Sequence, residues 1–308
     1  MRPPDHFYRH AQGLRLSTLG LGTYLGAADD ATDRGYEAAL RAAIEAGITV
    51  IDTAINYRHQ RSERAIGAVL RSSGRDGLVV CTKAGFLTPG ASPPWLRDEH
   101  TVGGMHSMHP DFVADQVDRS RANLGVEVID VFYLHNPEVQ LRYVDPAAFE
   151  ARLRAACERL ERLAEEGSIR WYGLATWDGF RKPGLLDLER IASIGAPHLK
   201  FIQLPFNLAM VEALPVLTTA GRLGITVVAS ASLLQSRLVR DLPEALAEAI
   251  PSLETDAQRA IQFTRSTPGI AVALAGMSRP EHVIENLGVA RVPPLDAAAW
   301  RRIAGPGA

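Results

Sequence analysis

The chain has 308 residues, 46% of them hydrophobic, and its 33 Lys or Arg against 35 Asp or Glu leave a formal net charge of −2. That length suffices for one large core, and the near balance of charge argues against an electrostatic nucleic-acid binder, which usually shows a basic stripe. No stretch approaches the roughly 18 consecutive apolar residues of a membrane helix, and "MRPPDHFYRHAQGLRL" lacks the apolar core of a secretion signal.

The only cysteines, Cys81 and Cys157, make no disulfide framework. A cytoplasmic protein with no membrane or nucleic-acid partner is expected. No self-association interface is legible, so the oligomeric state stays open.

Short apolar runs alternate with longer amphipathic segments along the chain. "LGLGT" (19–23) predicts a first strand, and "DRGYEAALRAAIEAG" (33–47) a helix whose Leu40, Ala43 and Ile44 share a face before Gly47 ends it. "ITVIDTA" (48–54) predicts the second strand, followed by a helix over 62–71, and "GLVVCTK" (77–83) the third. The segment 86–109, "FLTPGASPPWLRDEHTVGGMHSMH", is long for a connection, and loops of that length are functional or disordered. A helix over 110–124 stops at Gly125, "VIDVFYLH" (128–135) makes the fourth strand, and a long helix over 146–166 closes at Gly167. "IRWYGLAT" (169–176), "FIQLP" (201–205), "ITVVASA" (225–231) and "IAVALAG" (270–276) complete the strands, with helices over 211–222, 254–266 and 280–287.

Strands that are apolar throughout, rather than alternating, are those buried on both faces of a parallel sheet. Eight βα units therefore predict an α/β fold, a (β/α)8 TIM barrel, as a single domain over residues 1–308. A doubly wound open sheet is the rival. It requires a glycine-rich phosphate turn running straight from the first strand into a helix, which "GLGTYLGAADD" does not do.

In a barrel the C-terminal strand ends share one rim, with neighbours ~4.8 Å apart. Asp52 ends the second strand, Lys83 the third and His135 the fourth, and Tyr57 follows in the loop after the second. A buried Asp offsets part of a lysine's desolvation, and a Lys⁺ beside a tyrosine favours phenolate, lowering a pKa that is ordinarily ~10. Tyr57 then serves as proton donor and acceptor, and a neighbouring histidine donates a hydrogen bond to a carbonyl. The hydride that completes a reduction comes from no side chain and requires a nicotinamide.

Each residue alone has a plainer reading: a structural ion pair, a loop aromatic, a satisfied core histidine. Their joint placement at strand ends argues for chemistry. A metal centre is the rival for the histidines, since His59 and Glu63 lie four apart and His100, His106 and His109 crowd the long loop. None of these histidines forms an H-x-x-x-H pair, no Cys/His set closes such a site, and Lys83 would repel the cation. Cys81 reads as core packing. Trp95 either lines a substrate pocket or caps the barrel mouth, and Arg265 is either a phosphate contact or a solvated helix residue.

"IDTAINY", "CTKAGF" and "FYLHNPE", in this order and spacing, resemble the aldo-keto reductase superfamily, and "GSIRWYGLATW", "IQLPFN" and "GMSRPEHVIENL" extend the likeness over nearly the whole chain. The resemblance implies a carbonyl reductase or alcohol dehydrogenase acting on a small-molecule aldehyde or ketone. Tyr57 would be the general acid, Lys83 would tune it, Asp52 would hold Lys83, and His135 would orient the carbonyl. The implied cofactor is NADP (NADPH), with NAD an alternative, bound without a Rossmann domain. Thr176 and Gln203 would meet the carboxamide, Ser230 the nicotinamide, and Asn286 the adenine, with Ser278, Arg279 and His282 at the adenosine phosphate.

The chain departs from the family pattern at three places. Ala175-Thr176 replaces a Ser-Asn pair, Ser230 stands where an aromatic ring usually stacks on the nicotinamide, and Gly276 replaces a basic residue. Trp177 or Phe206 is a candidate for the missing ring. The departures motivate a second reading, a cofactor-binding or regulatory barrel with little turnover.

Overall fold

The structure, a computed structural model, describes residues 3–305. A short 3-10 helix (Asp5–Phe7) leads into an antiparallel hairpin, β1 (Tyr8–Ala11) and β2 (Leu14–Ser17). The connecting Gln12 and Gly13 both have positive φ, 52° and 73°, the handedness that suits the twist of a two-residue hairpin. Leu14 and Leu16 pack against Val50, Val79 and Val131 inside the sheet, and Thr49 Oγ1 donates 2.9 Å to Arg15 O. The hairpin is thus an apolar plug at the end of the barrel where the strands start. It is absent from the sequence-based reading, because four-residue strands show too little periodicity and Gln-Gly is not a usual hairpin signal.

Eight parallel strands then close on themselves: β3 (Leu19–Gly22), β4 (Val50–Asp52), β5 (Val79–Ala84), β6 (Ile129–His135), β7 (Ile169–Ala175), β8 (Leu199–Pro205), β9 (Thr226–Ser230) and β10 (Ile270–Gly276). Each pairs with its successor, and β10 returns to β3. These are the eight expected strands, and the fold is the expected (β/α)8 TIM barrel. Closure buries both faces of each strand and leaves no edge in the barrel, which is why the strand sequences are so uniformly apolar.

The outer layer consists of α1 (Asp30–Glu45), α2 (Arg61–Ser73), α3 (Pro110–Leu124), α4 (Pro146–Glu165), α5 (Leu188–Ile194), α6 (Leu214–Arg222), α7 (Glu244–Ala249), α8 (Asp256–Ser266), α9 (Pro280–Asn286) and α10 (Ala297–Ala304). α1 starts earlier than its hydrophobic pattern suggests because the Asp29 carboxylate accepts 2.8 Å from Thr32 N and caps it. α3 ends where Gly125 adopts φ 66°. The helices α5, α7 and α10, of seven, six and eight residues, are absent from the sequence-based reading. Among the described residues no helix is long and apolar enough to cross a membrane.

Both thiols are buried, Cys81 on β5 inside the barrel and Cys157 on α4 in the outer hydrophobic layer. Burial pushes the Cys81 thiol well up and that of Cys157 to about 12.

The plug is expected to carry much of the stability at the closed end. Leu16→Ala removes a fully buried side chain and should destabilise by roughly 2–5 kcal/mol in denaturant unfolding. A loss below about 1 kcal/mol would show that the hairpin is dispensable packing.

Candidate active site

Alternation along β5 turns Val79, Cys81 and Lys83 to one side, and Lys83 lies at the open end of the barrel, 1% exposed. Its Nζ donates 2.5 Å to Asp52 Oδ1 and 2.7 Å to Thr53 O, both from the end of β4. Gln203 reaches over from β8 and donates from Nε2 to Asp52 Oδ2 at 2.7 Å. Both carboxylate oxygens are therefore engaged. Burial raises the Asp52 pKa against the pull of Lys83 and Gln203. For Lys83 burial acts downward, but Asp52 and Tyr57 reverse it and the net shift is up, so the ammonium persists.

Lys83 Nζ lies 5.0 Å from the centroid of the Tyr57 ring. Tyr24 and His135 pack edge-on against that ring, at 5.0 and 5.8 Å between centroids. Burial pushes the Tyr57 phenol up, and Lys83 opposes the rise without cancelling it. The lysine acts in the expected direction, but desolvation is the larger effect.

The loop that presents Tyr57 is held in an unusual conformation. Arg58, His59 and Gln60 all have positive φ, at 48°, 55° and 70°, and such left-handed residues each cost about 1 kcal/mol or more. Contacts on every side hold the turn. The buried Arg58 guanidinium pairs with Asp33 at 2.7 Å and donates to Ser62 Oγ at 3.1 Å, while Ser62 donates to Thr23 O at 2.9 Å. Glu63 turns away from His59, accepting from Thr82 Oγ1 at 2.7 Å and Asn123 Nδ2 at 2.8 Å. Among the described residues no group of three or more His, Cys, Asp or Glu is arranged to hold a metal.

His135 ends β6 with its Nδ1 enclosed and unpartnered. Burial, then Lys83 and His106, hold its pKa well below 6.5, so the ring is neutral. A buried lone pair is tolerated better than a buried unpaired N–H, which assigns the proton to Nε2. The long loop 86–109 is ordered and stitched to this strand. His106 Nε2 donates 2.8 Å to His135 O, His106 Nδ1 accepts 3.1 Å from Gln140 Nε2, and Gln140 Oε1 accepts 2.8 Å from Arg152. Gly85 makes this approach possible, since a Cβ there would fall 2.6 Å from His106 Nε2 and 2.7 Å from His135 O.

Asp52, Tyr57 and His135 border a cavity of about 480 Å³ together with Thr176, Gln203 and Ser230. Its lining includes the small residues Gly22, Ala175, Ala275 and Gly276 and the aromatic side chains of Tyr24, Phe86 and Trp177. Trp177 is 40% exposed, whereas Phe206 is fully buried and stacked on Phe263 with centroids 6.3 Å apart. Of the two ring candidates only Trp177 reaches the cavity. Trp95 packs on His100 and His109 instead of lining it. Ser278, Arg279, His282 and Asn286 do not border this cavity; they follow Gly276 outward into α9, with Arg279 exposed and Asn286 buried. Arg265 is buried, bonded to Thr18 Oγ1, Gln262 Oε1 and the carbonyls of Val289 and Val292, and so is neither solvated nor open to phosphate.

Two contributors escape a reading of the sequence. After β9, Ala231, Leu234, Gln235 and Ser236 have φ of 54°, 45°, 52° and 69° in a loop that lines the cavity. Without glycine the segment carries no sequence signal of this left-handed backbone. The other is Glu138, whose Oε1 accepts from the N–H groups of Trp177, Asp178 and Gly179 at 2.8, 3.0 and 3.2 Å. One buried carboxylate thereby sets the course of the segment that bears Thr176 and Trp177.

The family model for the Aldo/keto reductase family matches residues 18–305. One curated relative, D-threo-aldose 1-dehydrogenase from a Pseudomonas species, is 27% identical across 96% of this chain and 95% of its own. An aldo-keto reductase from Bacillus halodurans, solved in its holo form, is similar with a TM-score of 0.75 at 20% identity, covering 98% of this chain and 97% of that one. An aldo-keto reductase from Klebsiella pneumoniae in complex with NADPH has a TM-score of 0.70 at 24% identity, covering 100% and 98%. The two structures share the fold.

Burial lowers the His106 pKa from 6.5 to about 4. Below pH 6.5 the unfolded chain binds a proton that the folded chain refuses until about pH 4, so this stabilisation is complete above pH 6.5 and is lost as pH falls through that window. Unfolding midpoints of His106→Gln should have a shallower pH dependence there, by up to about 1.4 kcal/mol per pH unit; parallel profiles would contradict the enclosed neutral ring. Glu138→Ala leaves three N–H groups without their acceptor, and hydrogen exchange over the segment Trp177–Gly179 should accelerate roughly tenfold or more. Unchanged exchange would mean that other contacts hold the segment.

Proposed function

The chain belongs to the aldo/keto reductase family, and from that premise we propose that it is an NADP(H)-dependent oxidoreductase interconverting a small aldehyde or ketone and its alcohol, with Tyr57 as general acid and base. The observation that carries the reading is the convergence of Asp52, Lys83, Tyr57 and His135 at one end of the barrel, around one cavity. The relative named as an aldose dehydrogenase and the Klebsiella enzyme crystallised with NADPH support it.

The cavity fits such a cofactor. The enclosed, unpartnered Thr176 Oγ1 and the side-chain carbonyl of Gln203, whose Nε2 is committed to Asp52, offer polar groups to a carboxamide. The small lining residues leave room for a flat ring, and Trp177 supplies an aromatic side chain where Ser230 does not. Backbone N–H groups of the loop from Ala231 to Ser236 suit the diphosphate, and Ser278, Arg279, His282 and Asn286 are assigned the adenosine end. NAD remains the alternative partner. When bound, the nicotinamide supplies or accepts the hydride.

The side chains handle the proton. In reduction His135 Nε2–H donates a hydrogen bond to the substrate carbonyl, and Tyr57 Oη delivers a proton to the oxygen as it becomes an alcohol. Lys83 stabilises the resulting phenolate, Asp52 keeps the ammonium in place, and in oxidation the same phenolate accepts the proton. The aromatic walls reduce water access to the reacting carbon. The two buried reduced thiols accord with a reducing compartment such as the cytoplasm.

Tyr57→Phe should lower kcat for carbonyl reduction by roughly 10²–10⁴-fold while leaving the NADPH Kd, measured by fluorescence titration, nearly unchanged. Undiminished turnover would remove the assignment. Saturable NADPH or NADH binding with no turnover of simple aldehydes would favour the second reading, a cofactor-binding barrel, which the small residues Ala175, Ser230 and Gly276 motivate.

A further inference from the structure

We propose that the substrate carries no anionic group: the cavity is built for neutral carbonyl compounds and rejects carboxylates and phosphates. The inference rests on the reductase reading and specifies its substrate class. Among the described residues no Lys or Arg lines the cavity. Lys83 lies beneath it, 1% exposed, with its ammonium committed to Asp52 and Thr53 O. Among the described residues the one carboxylate that lines the cavity is Asp52, and both its oxygens are engaged. Arg58, the guanidinium next to Tyr57 in the chain, is buried and paired with Asp33 at 2.7 Å. The charges near the reacting pair are thus neutralised internally.

What faces a substrate is apolar or neutral. Tyr24 packs on Tyr57 and Phe86 packs on His135, with ring centroids 5.0 and 5.2 Å apart. Leu25 and the side chains of Asn56, Asn136 and Trp177 continue this surface. A carboxylate brought here would exchange water for aromatic faces, which are themselves electronegative, and would meet no counterion. The loop Ala231–Ser236 does not relieve this. It follows β9, across the barrel from β5 and Phe86, and in the proposed reading it serves the cofactor diphosphate, whose charge disfavours a second anion. A neutral substrate incurs none of these costs.

The test is a matched pair of aldehydes, methyl 4-formylbenzoate and 4-carboxybenzaldehyde, reduced by the enzyme with saturating NADPH. The ester is the bulkier of the two, so size alone favours the carboxylate. The ester is expected to exceed the carboxylate roughly 100-fold in kcat/KM. Leu25→Arg, which places a cation on a wall residue that is 40% exposed, should reduce that ratio about tenfold or more by lowering KM for the carboxylate. Equal kcat/KM for both aldehydes in the wild-type enzyme overturns the inference and leaves the reductase reading intact. Turnover of neither, in a protein that still binds NADPH, overturns the reductase reading and the inference with it. An unchanged ratio in a folded Leu25→Arg also counts against the inference, since it would place the discrimination elsewhere than in missing charge.

Discussion

A lysine ammonium enclosed in a protein interior must have its charge answered by neighbours, and Lys83 organises the open end of this barrel around that requirement. Asp52 answers it from the adjacent strand, Thr53 adds a carbonyl, and Gln203 reaches over from β8 to occupy the second carboxylate oxygen. The pair thereby joins β4, β5 and β8, and it does so only because barrel closure brings all strand ends to one rim. The same charge faces the Tyr57 ring and helps hold His135 neutral.

The two ends of the barrel follow different physics. At the start of the strands, Leu14 and Leu16 close the interior with apolar packing, as in any core. At the other end, loops are fixed by polar contacts to named groups. Arg58–Asp33 steadies three successive left-handed residues behind Tyr57, the Glu138 carboxylate gathers three amides behind Trp177, and His106 ties the long loop to the carbonyl of His135. Each of these contacts links segments distant in sequence. An apolar end that resists change and a polar end assembled from separate loops is the division expected of barrels that carry chemistry at their strand C-termini.

That division also explains what the sequence disclosed. The eight barrel strands were legible because closure buries both faces, which leaves continuous apolar runs, and the residues proposed for catalysis were legible because Asp52, Lys83 and His135 interrupt those runs at their ends. The hairpin and the helices α5, α7 and α10 were not, and for the hairpin the reason is that its strands have only four residues each, too few to display a period. Phe206 and Trp177 look alike as candidate rings in sequence, and only three-dimensional packing separates the one stacked on Phe263 from the one at the cavity. The contacts of Glu138 and the burial of Arg265 depend on partners far along the chain, and the rise of the Tyr57 pKa depends on how completely its neighbours exclude water. Local pattern does not encode these quantities.

The two enclosed cysteines give the molecule an internal record of its own opening. Neither thiol is exposed, and burial raises both pKa values, so little thiolate is available in the closed state. Alkylation or oxidation at either position must wait for a fluctuation that admits the reagent. Cys81 sits among the residues filling the barrel, whereas Cys157 lies under the helical layer. Their reaction clocks therefore time two distinct events, unzipping of the strands and lifting of α4, and the ratio of the two rates measures how far the inner and outer shells come apart as one unit.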